Sequence, residues 1–230
     1  MPSDRVPRIL ADLSAEDHGE WSSARLCEVA RDVVGVSGAG VMLMSGEIPR
    51  GSLCTTNEVS NLIEELQYTL GEGPCMDAYD QNRVVVESDL ADPGVPRWPA
   101  FTPQAVAAGV RAVFAFPLQV GAVRLGALDL YRDGPGALTD EQHGDAMVLA
   151  DVIAQWVLDV QAQAPEGAVA DQLEHDADFH YVVHNAAGVV SVQLGVSVTE
   201  ALIRLRAYAF SHDRRLREVA EDVVARRLRF

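Results

Sequence analysis

The residues best suited to binding a polyanion lie in the last fifty positions of the chain. Residues 182–230 contain eight Arg and five acidic residues, a net charge of plus 3, whereas the whole chain carries minus 16. The remainder therefore carries minus 19, the difference between the two. A basic end on an acidic body suits a protein that presents one patch to a polyanion while its body repels it. Ordinary solvation of helical surfaces is the alternative explanation.

Several kinds of reaction chemistry are excluded or disfavoured by composition. The chain has no Lys, which excludes a Walker-type phosphate loop and a Schiff-base mechanism. Cys27, Cys54 and Cys75 are odd in number and widely separated, which argues against a disulfide framework or a zinc site. Cys75 precedes a short helix and could be reactive there, but a small buried thiol is favoured. No catalytic constellation is evident, so we predict no enzymatic activity and no cofactor.

The C-terminal charges are positioned by three predicted helices. Apolar residues recur at steps of three and four through 181–230, and the period restarts at Gly195 and at His212. Ser197 with Glu200 forms a predicted capping box, and Asp213 is a predicted N-cap of the third helix. Cations suit the carboxyl end of a helix, where the last three arginines lie: Arg226, Arg227 and Arg229.

This C-terminal segment resembles the ANTAR domain, a family of RNA-binding transcription antitermination regulators. Four motifs carry the resemblance in order: AAGVV at 186–190, EA at 200–201, LRAYA at 205–209 and LREVAEDVV at 216–224. The match extends over nearly all of 181–226. One departure is Ala187, where many members of the family carry Lys.

The resemblance implies which residues contact RNA. Single-stranded loops are bound by cations that pair with phosphates and by planar groups that stack on bases or bond their edges. The expected phosphate contacts are Arg204, Arg206, Arg214, Arg215 and Arg217, of which Arg206 and Arg217 match basic positions of the family. The expected base contacts are Tyr208, His184 and Asn185. Core packing is the alternative role of Tyr208.

The preceding residues predict an α+β domain at 22–163, after an N-terminal segment (1–21) with a short amphipathic helix. Apolar periodicity gives the order helix, two strands, helix, strand, helix, two strands, helix. The strands at 110–119 and 122–131 are rich in β-branched and aromatic residues, and Thr139 with Gln142 caps the last helix. An antiparallel sheet with flanking helices follows from this order.

This body resembles a GAF domain, a small-molecule sensing module. The loop at 71–75, the run RWPAF at 97–101 and the strand segments 114–118 and 125–128 carry the resemblance, which spans 22–162. It implies the fold and a small-molecule ligand that the sequence does not identify. The signature of cyclic-nucleotide-binding members is absent.

A linker at 164–180 contains the start of a predicted heptad seam, which continues into the C-terminal segment. The seam predicts a homodimer. Its apolar and polar members alternate steps of four and three: Val169, Leu173, Asp176, His180, Val183, Ala187, Val190 and Leu194. An ordinary helix packed against the C-terminal bundle is the alternative. Two RNA-binding modules held side by side would gain avidity.

The function predicted from these observations is that of a cytoplasmic regulator. A GAF-like body senses a signal, and the C-terminal helices bind stem-loop RNA in nascent transcripts and thereby cause antitermination. No apolar run is long enough to span a membrane. Two alternatives remain: a cysteine-dependent reductase of small sulfoxides, in which Cys27, Cys54 and Cys75 would converge, and a protein-interaction regulator that does not bind RNA.

Overall fold

The computed structural model describes residues 5–14, 21–45, 48–92, 94, 96–165, 173, 177–212 and 214–230. The chain divides into two compact units, Met1–His175 and Asp176–Phe230. Each unit is described by itself.

The first unit is built on a five-stranded antiparallel sheet. The strands are β1 (Gly38–Ser45), β2 (Ile48–Thr55), β3 (Val85–Glu87), β4 (Ala112–Val120) and β5 (Val123–Arg132). Their order across the sheet is β2-β1-β5-β4-β3. In the central register, Gly40 pairs with Asp129 and Val41 with Leu128. The predicted α+β fold with an antiparallel sheet and flanking helices is confirmed.

In the described part of this unit six helices flank the sheet: α1 (Arg5–Ser14), α2 (Ser23–Val34), α3 (Glu58–Leu70), α4 (Pro74–Gln81), α5 (Phe101–Ala107) and α6 (Asp140–Ala162). The sequence fixes several of their ends. Thr139 accepts a hydrogen bond from the Gln142 amide, and the Gln142 side chain bonds back, which completes the predicted capping box. Asn57 and Ser60 form a second box at α3. Gly71 ends α3 with φ 67°, a conformation that favours glycine.

The two faces of the sheet differ in character because successive residues of a strand point to opposite sides. Phe114, Phe116 and Leu128 lie on one face in a hydrophobic core shared with α1, α2 and α6. Asp129, the neighbour of Leu128, is buried on the other face, beside α3 and α4. On the first face, the buried carboxylate of Asp145 also holds α1, with Arg5 Nε 3.1 Å from its Oδ1.

The second unit contains three helices, α7 (Ala177–Leu194), α8 (Val198–Ser211) and α9 (Leu216–Val224). This confirms the predicted three-helix module. Ser197 is the N-cap of α8 and accepts a hydrogen bond from the Glu200 amide. The third helix begins later than predicted, after Arg215, which makes no side-chain cap; Asp213 lies outside the described residues. Among the described residues, no single helix is long and apolar enough to cross a membrane, and only the α7–α8 pair, bent by 105°, passes that test jointly.

Candidate functional site

The last turns of α8 and the residue that follows it carry an aromatic pair. Arg204, Tyr208 and His212 recur every four residues, a spacing that places them on one side of a helix. The rings of Tyr208 and His212 are stacked, with centroids 3.9 Å apart and planes at 16°. The His212 ring is held there because its Nδ1 donates to the Tyr208 carbonyl oxygen at 2.9 Å. His212 was not among the predicted contacts, although its spacing from Tyr208 signals the pairing.

Tyr208 has a packing role as well as an exposed partner. Its ring is half-buried and lies against Phe230, with centroids 5.3 Å apart. The Phe230 amide donates to Gln193 Oε1 on α7 at 3.0 Å, so the chain end returns to the bundle beside Tyr208. The outer ring of the stack is therefore His212, which is exposed.

Three of the predicted phosphate contacts are exposed and form local ion pairs. Arg204 is 2.7 Å from Glu200, Arg215 is 2.7 Å from Glu218 and Arg217 is 3.0 Å from Glu221, each three or four residues away. Such surface pairs contribute about 0–1 kcal/mol to stability. A phosphate can therefore replace the carboxylate at little cost.

Arg214 and Arg206 are engaged differently. Arg214 Nη2 donates to Asp222 Oδ2 at 2.7 Å, and the Arg214 amide donates to the Ala209 carbonyl at 2.9 Å. These bonds tie the α8–α9 connection to both helices. Hydrogen bonds from Arg214 and then from Arg227 lower the pKa of Asp222. Arg206 is half-buried, with Nε and Nη2 removed from solvent, and it makes contacts within the chain. Both arginines have structural roles here.

The other predicted base contacts, His184 and Asn185, lie on α7. Asn185 is exposed and His184 is half-buried. Asn185 precedes Gln193 by eight residues, which is about 12 Å along a helix axis. Ala187, the position where many members of the ANTAR family carry Lys, is fully buried in this chain. The structure thus brings Tyr208 and His212 together, with Arg204 one turn before them, and places Asn185 on α7 with its side chain exposed.

The predicted coiled-coil seam is wrong along α7. Val183, Ala187 and Val190 are fully buried within the chain, on a helix that packs against α8 and α9. Side chains already covered by their own bundle have no surface left for a second copy. Leu173 packs against the hydrophobic core of the first unit instead. Of the other members, Val169, Asp176 and the side chain of His180 lie outside the described residues.

In the first unit, the two loops singled out from the sequence bind each other. Glu72 Oε1 accepts hydrogen bonds from the Ala100 amide at 2.6 Å and the Phe101 amide at 2.9 Å, and thereby satisfies the first amides of α5. Asp77 of α4 binds both Arg97, at 2.7 Å, and Trp98 Nε1, at 3.2 Å. These contacts hold α4 and α5 together at the edge of a buried polar cluster.

That cluster joins α3, α4 and β5. Gln67 Nε2 donates to Asp129 Oδ2 at 2.8 Å, and Gln67 Oε1 accepts from the Cys75 amide at 2.7 Å. Burial raises the pKa of Asp129 to about 6, against the lowering effect of hydrogen bonds from Gln67, Glu64 and Cys75. Burial, and then the charge of Asp129, raise the pKa of Glu64 well above its usual range. The same two causes raise the pKa of Cys75, so its thiol stays protonated.

A small cavity adjoins the cluster. Its lining includes Gly40, Glu64, Pro74, Asp129 and Tyr131, and its volume is about 10 Å³. About 10–15 Å³ is the least that holds one water molecule. The sequence signal for this site is an acidic residue, Asp129, in the middle of an otherwise apolar strand.

The cysteines do not converge. Cys27 and Cys54 form a disulfide, with Cα atoms 6.1 Å apart, in the hydrophobic core on the α2 face of the sheet. Cys75 lies on the other face with Asp129. The expectation from cysteine number was wrong for this pair because α2 and β2 pack against each other, which sequence separation does not reveal. In the part of the chain that the structure describes, no group of three or more His, Cys, Asp and Glu could hold a metal ion.

Comparison with known families assigns both units. The family model of the GAF domain matches residues 23–157, and that of the ANTAR domain matches residues 171–224. The chain therefore belongs to the GAF domain family and carries a C-terminal ANTAR domain. Both resemblances found in the sequence are confirmed. These domains are sensory and regulatory, which makes the chain a signal-responsive regulator.

Solved structures show the same fold at low identity. The GAF domain of an Acinetobacter phosphoenolpyruvate-protein phosphotransferase is 12% identical with a TM-score of 0.53, over 71% of this chain and 96% of that chain. Its Coxiella burnetii counterpart is 12% identical with a TM-score of 0.52, over 70% and 97%. A type II free methionine-R-sulfoxide reductase from Thermoplasma acidophilum is 16% identical over 67% and 92%, but its TM-score of 0.44 carries no argument about activity. No curated protein matches the chain significantly.

Proposed function

We propose that this protein is a transcription antitermination regulator whose ANTAR domain binds stem-loop RNA in nascent transcripts. The observation that carries the proposal is the stacked Tyr208–His212 pair beside Arg204 on α8. An exposed ring on a rigid helix offers a platform for an unpaired base, and base stacking contributes about 1–3 kcal/mol. The exposed arginines Arg204, Arg215 and Arg217 then pair with phosphates by exchanging their local carboxylates. Such a regulator would act in the cytoplasm, where transcripts are made.

The proposed homodimer would use a face of α7 other than the predicted seam. Val189 and Val192 are exposed, Val192 at 84%, and they lie three residues apart on α7. Burying them between two copies would remove apolar surface from water. Val192→Asp should then yield a monomer in sedimentation, whereas Val198→Asp, an exposed valine on α8, should leave the dimer intact. A wild-type protein that sediments as a monomer at micromolar concentration contradicts this proposal.

The two alternatives are less well supported. A cysteine-dependent reductase would need its thiols in one place, whereas Cys75 and the Cys27–Cys54 pair lie on opposite faces of the sheet. We therefore propose a regulator without enzymatic activity or a cofactor. A protein-interaction regulator would use the same helices, and its distinguishing property would be the absence of salt-dependent RNA binding.

The test is binding of the full chain to a library of hairpin RNAs with randomised loops, measured by fluorescence anisotropy. We expect affinity to fall steeply with salt, because each phosphate contact releases counterions. His212→Ala should weaken binding by about 1–3 kcal/mol, roughly 5-fold to 150-fold. His143→Ala, a histidine of the first unit, is the matched control and should bind as the wild type does. No binding at low salt, or equal binding by His212→Ala, contradicts the proposal.

A further inference from the structure

We propose that the cavity beside Glu64 and Asp129 binds one small cation that donates N–H hydrogen bonds, of the ammonium class. The site lies within the sensory GAF domain, and its role as the regulatory input rests on the proposed function. Its occupancy does not depend on RNA binding and can be measured separately.

The first argument is the unsatisfied hydrogen-bonding capacity of Glu64. Its side chain is only 2% exposed and lines the cavity. Its protonated carboxyl donates to the neighbouring carboxyl of Asp129, and no described group donates to either of its own carboxyl oxygens. Gln67 donates to Asp129 Oδ2, whereas no backbone amide and no cationic side chain of the described residues donates to its Oδ1. Buried acceptors of this kind are rare, and each one calls for a donor.

The second argument is charge. The groups beside the two carboxyls are Cys75 of α4 and Tyr131 of β5, together with Gln67. Among the described residues that line the cavity there is no Arg, Lys or His. Tyr131 is committed elsewhere, since its hydroxyl donates to Asn57 Oδ1 at 3.0 Å. A bound cation would therefore supply the site with a positive charge that its described lining residues do not provide.

The third argument is size. With about 10 Å³, the cavity accommodates a particle no larger than a water molecule, and ammonium is close to water in size. Gly40 keeps this space open, because a Cβ built at that position would collide with Glu64 Oε1. The strand thus carries glycine at the one position where a side chain would displace the carboxyl group.

Binding is coupled to release of a proton. In the empty site the two carboxyl groups share a proton, since burial next to each other disfavours two negative charges. When the cation enters, this proton leaves to solvent, and the N–H groups donate to Glu64 and Asp129 in its place. One cation is taken up for each proton released, so the total charge of the site is unchanged.

The experiment measures the unfolding temperature of the full chain without RNA, in ammonium, potassium or tetramethylammonium chloride at equal ionic strength. We expect ammonium to raise the unfolding temperature by about 3 °C or more at ten times its Kd. The rise should be larger at pH 7.5 than at pH 5, because protons compete for the site. Tetramethylammonium is too large and has no N–H, and potassium has no N–H, so neither should act.

Variants assign the effect to the cavity. Glu64→Gln and Gly40→Ala should abolish the ammonium shift. Asp129→Asn should reduce the shift, and it provides the test if either of the first two variants fails to fold. Glu58→Gln, an exposed carboxyl on the same helix, is the matched control and should retain it. An equal shift with potassium, or a shift that survives Glu64→Gln, overturns the proposal. RNA binding that persists when the ammonium shift is absent would refute this site and leave the proposed function standing.

Discussion

The two units of this chain handle charge in opposite ways. In the first, Glu64 and Asp129 lie buried next to each other. In the second, Arg204, Arg215 and Arg217 pair at the surface with carboxylates three or four residues away. Burial makes an ionised carboxyl costly, whereas an exposed pair is worth about 1 kcal/mol at most. The buried groups are therefore suited to a change of protonation or occupancy, and the exposed ones to a change of partner.

The largest expected effect is the loss of stability of the first unit when its disulfide is reduced. Reduction of the Cys27–Cys54 disulfide, which spans 27 residues, should lower the free energy of unfolding of that unit by about 3–4 kcal/mol in the chain-entropy treatment. All three tryptophans lie in the first unit, as Trp21, Trp98 and Trp156, so fluorescence in urea with and without dithiothreitol reports on it. Cys75→Ser should respond to the reductant as the wild type does. An unchanged midpoint would contradict this expectation.

A second prediction contrasts the pH dependence of the two units. The pKa of Asp129 is raised from 3.8 to about 6 in the folded chain, so its contribution to stability is fully present below about pH 4 and lost as the pH rises through 6. Asp129→Asn should therefore stabilise the first unit at pH 8, by on the order of 3 kcal/mol, and should do little at pH 4. Chemical denaturation at both pH values measures this.

The contribution of Asp222 to stability depends on pH with the opposite sign and serves as the comparison. Hydrogen bonds from Arg214 and Arg227 lower its pKa in the folded chain, so its contribution is present above the ordinary value of 3.8 and lost as the pH falls below it. Asp222→Asn should destabilise the second unit at pH 7. Circular dichroism of the helices in the same titration is the readout. If the change in stability varied with pH in the same way for Asp129→Asn and Asp222→Asn, the two units would not differ in how they handle charge.

The smallest effect concerns a single phosphate contact. Arg215→Ala should weaken binding to all hairpin RNAs by a similar factor and reduce the log-log salt slope by roughly 0.7. Arg215 is 83% exposed and loses only its pair with Glu218, so stability should hardly change. Arg229→Ala removes an exposed arginine of the chain end and should leave the slope unaltered. If the salt slope of RNA binding by Arg215→Ala equalled that of the wild type, exposure alone would not identify an arginine that contacts phosphate.

The local elements of this protein are largely determined by its sequence. The capping residues Thr139 and Ser197 predicted where α6 and α8 begin, because a cap is a contact between neighbours in the chain. The order of helices and of strands rich in β-branched and aromatic residues predicted the antiparallel sheet, and the four C-terminal motifs predicted the second unit. Tyr208 was recognised as a planar group, and its pairing with His212 follows from helical spacing.

The contacts between distant residues were decided by the tertiary structure. Val183 and Val190 satisfy a heptad pattern and a bundle core equally well, and only the packing of α8 and α9 on α7 shows which surface covers them. Cys27 meets Cys54, and Glu64 meets Asp129, because the sheet brings together residues that are far apart in the chain. The spacing of apolar residues along the chain determines which face of its own helix or strand a side chain occupies. What lies opposite that side chain, and therefore its pKa and its partner, depends on the fold.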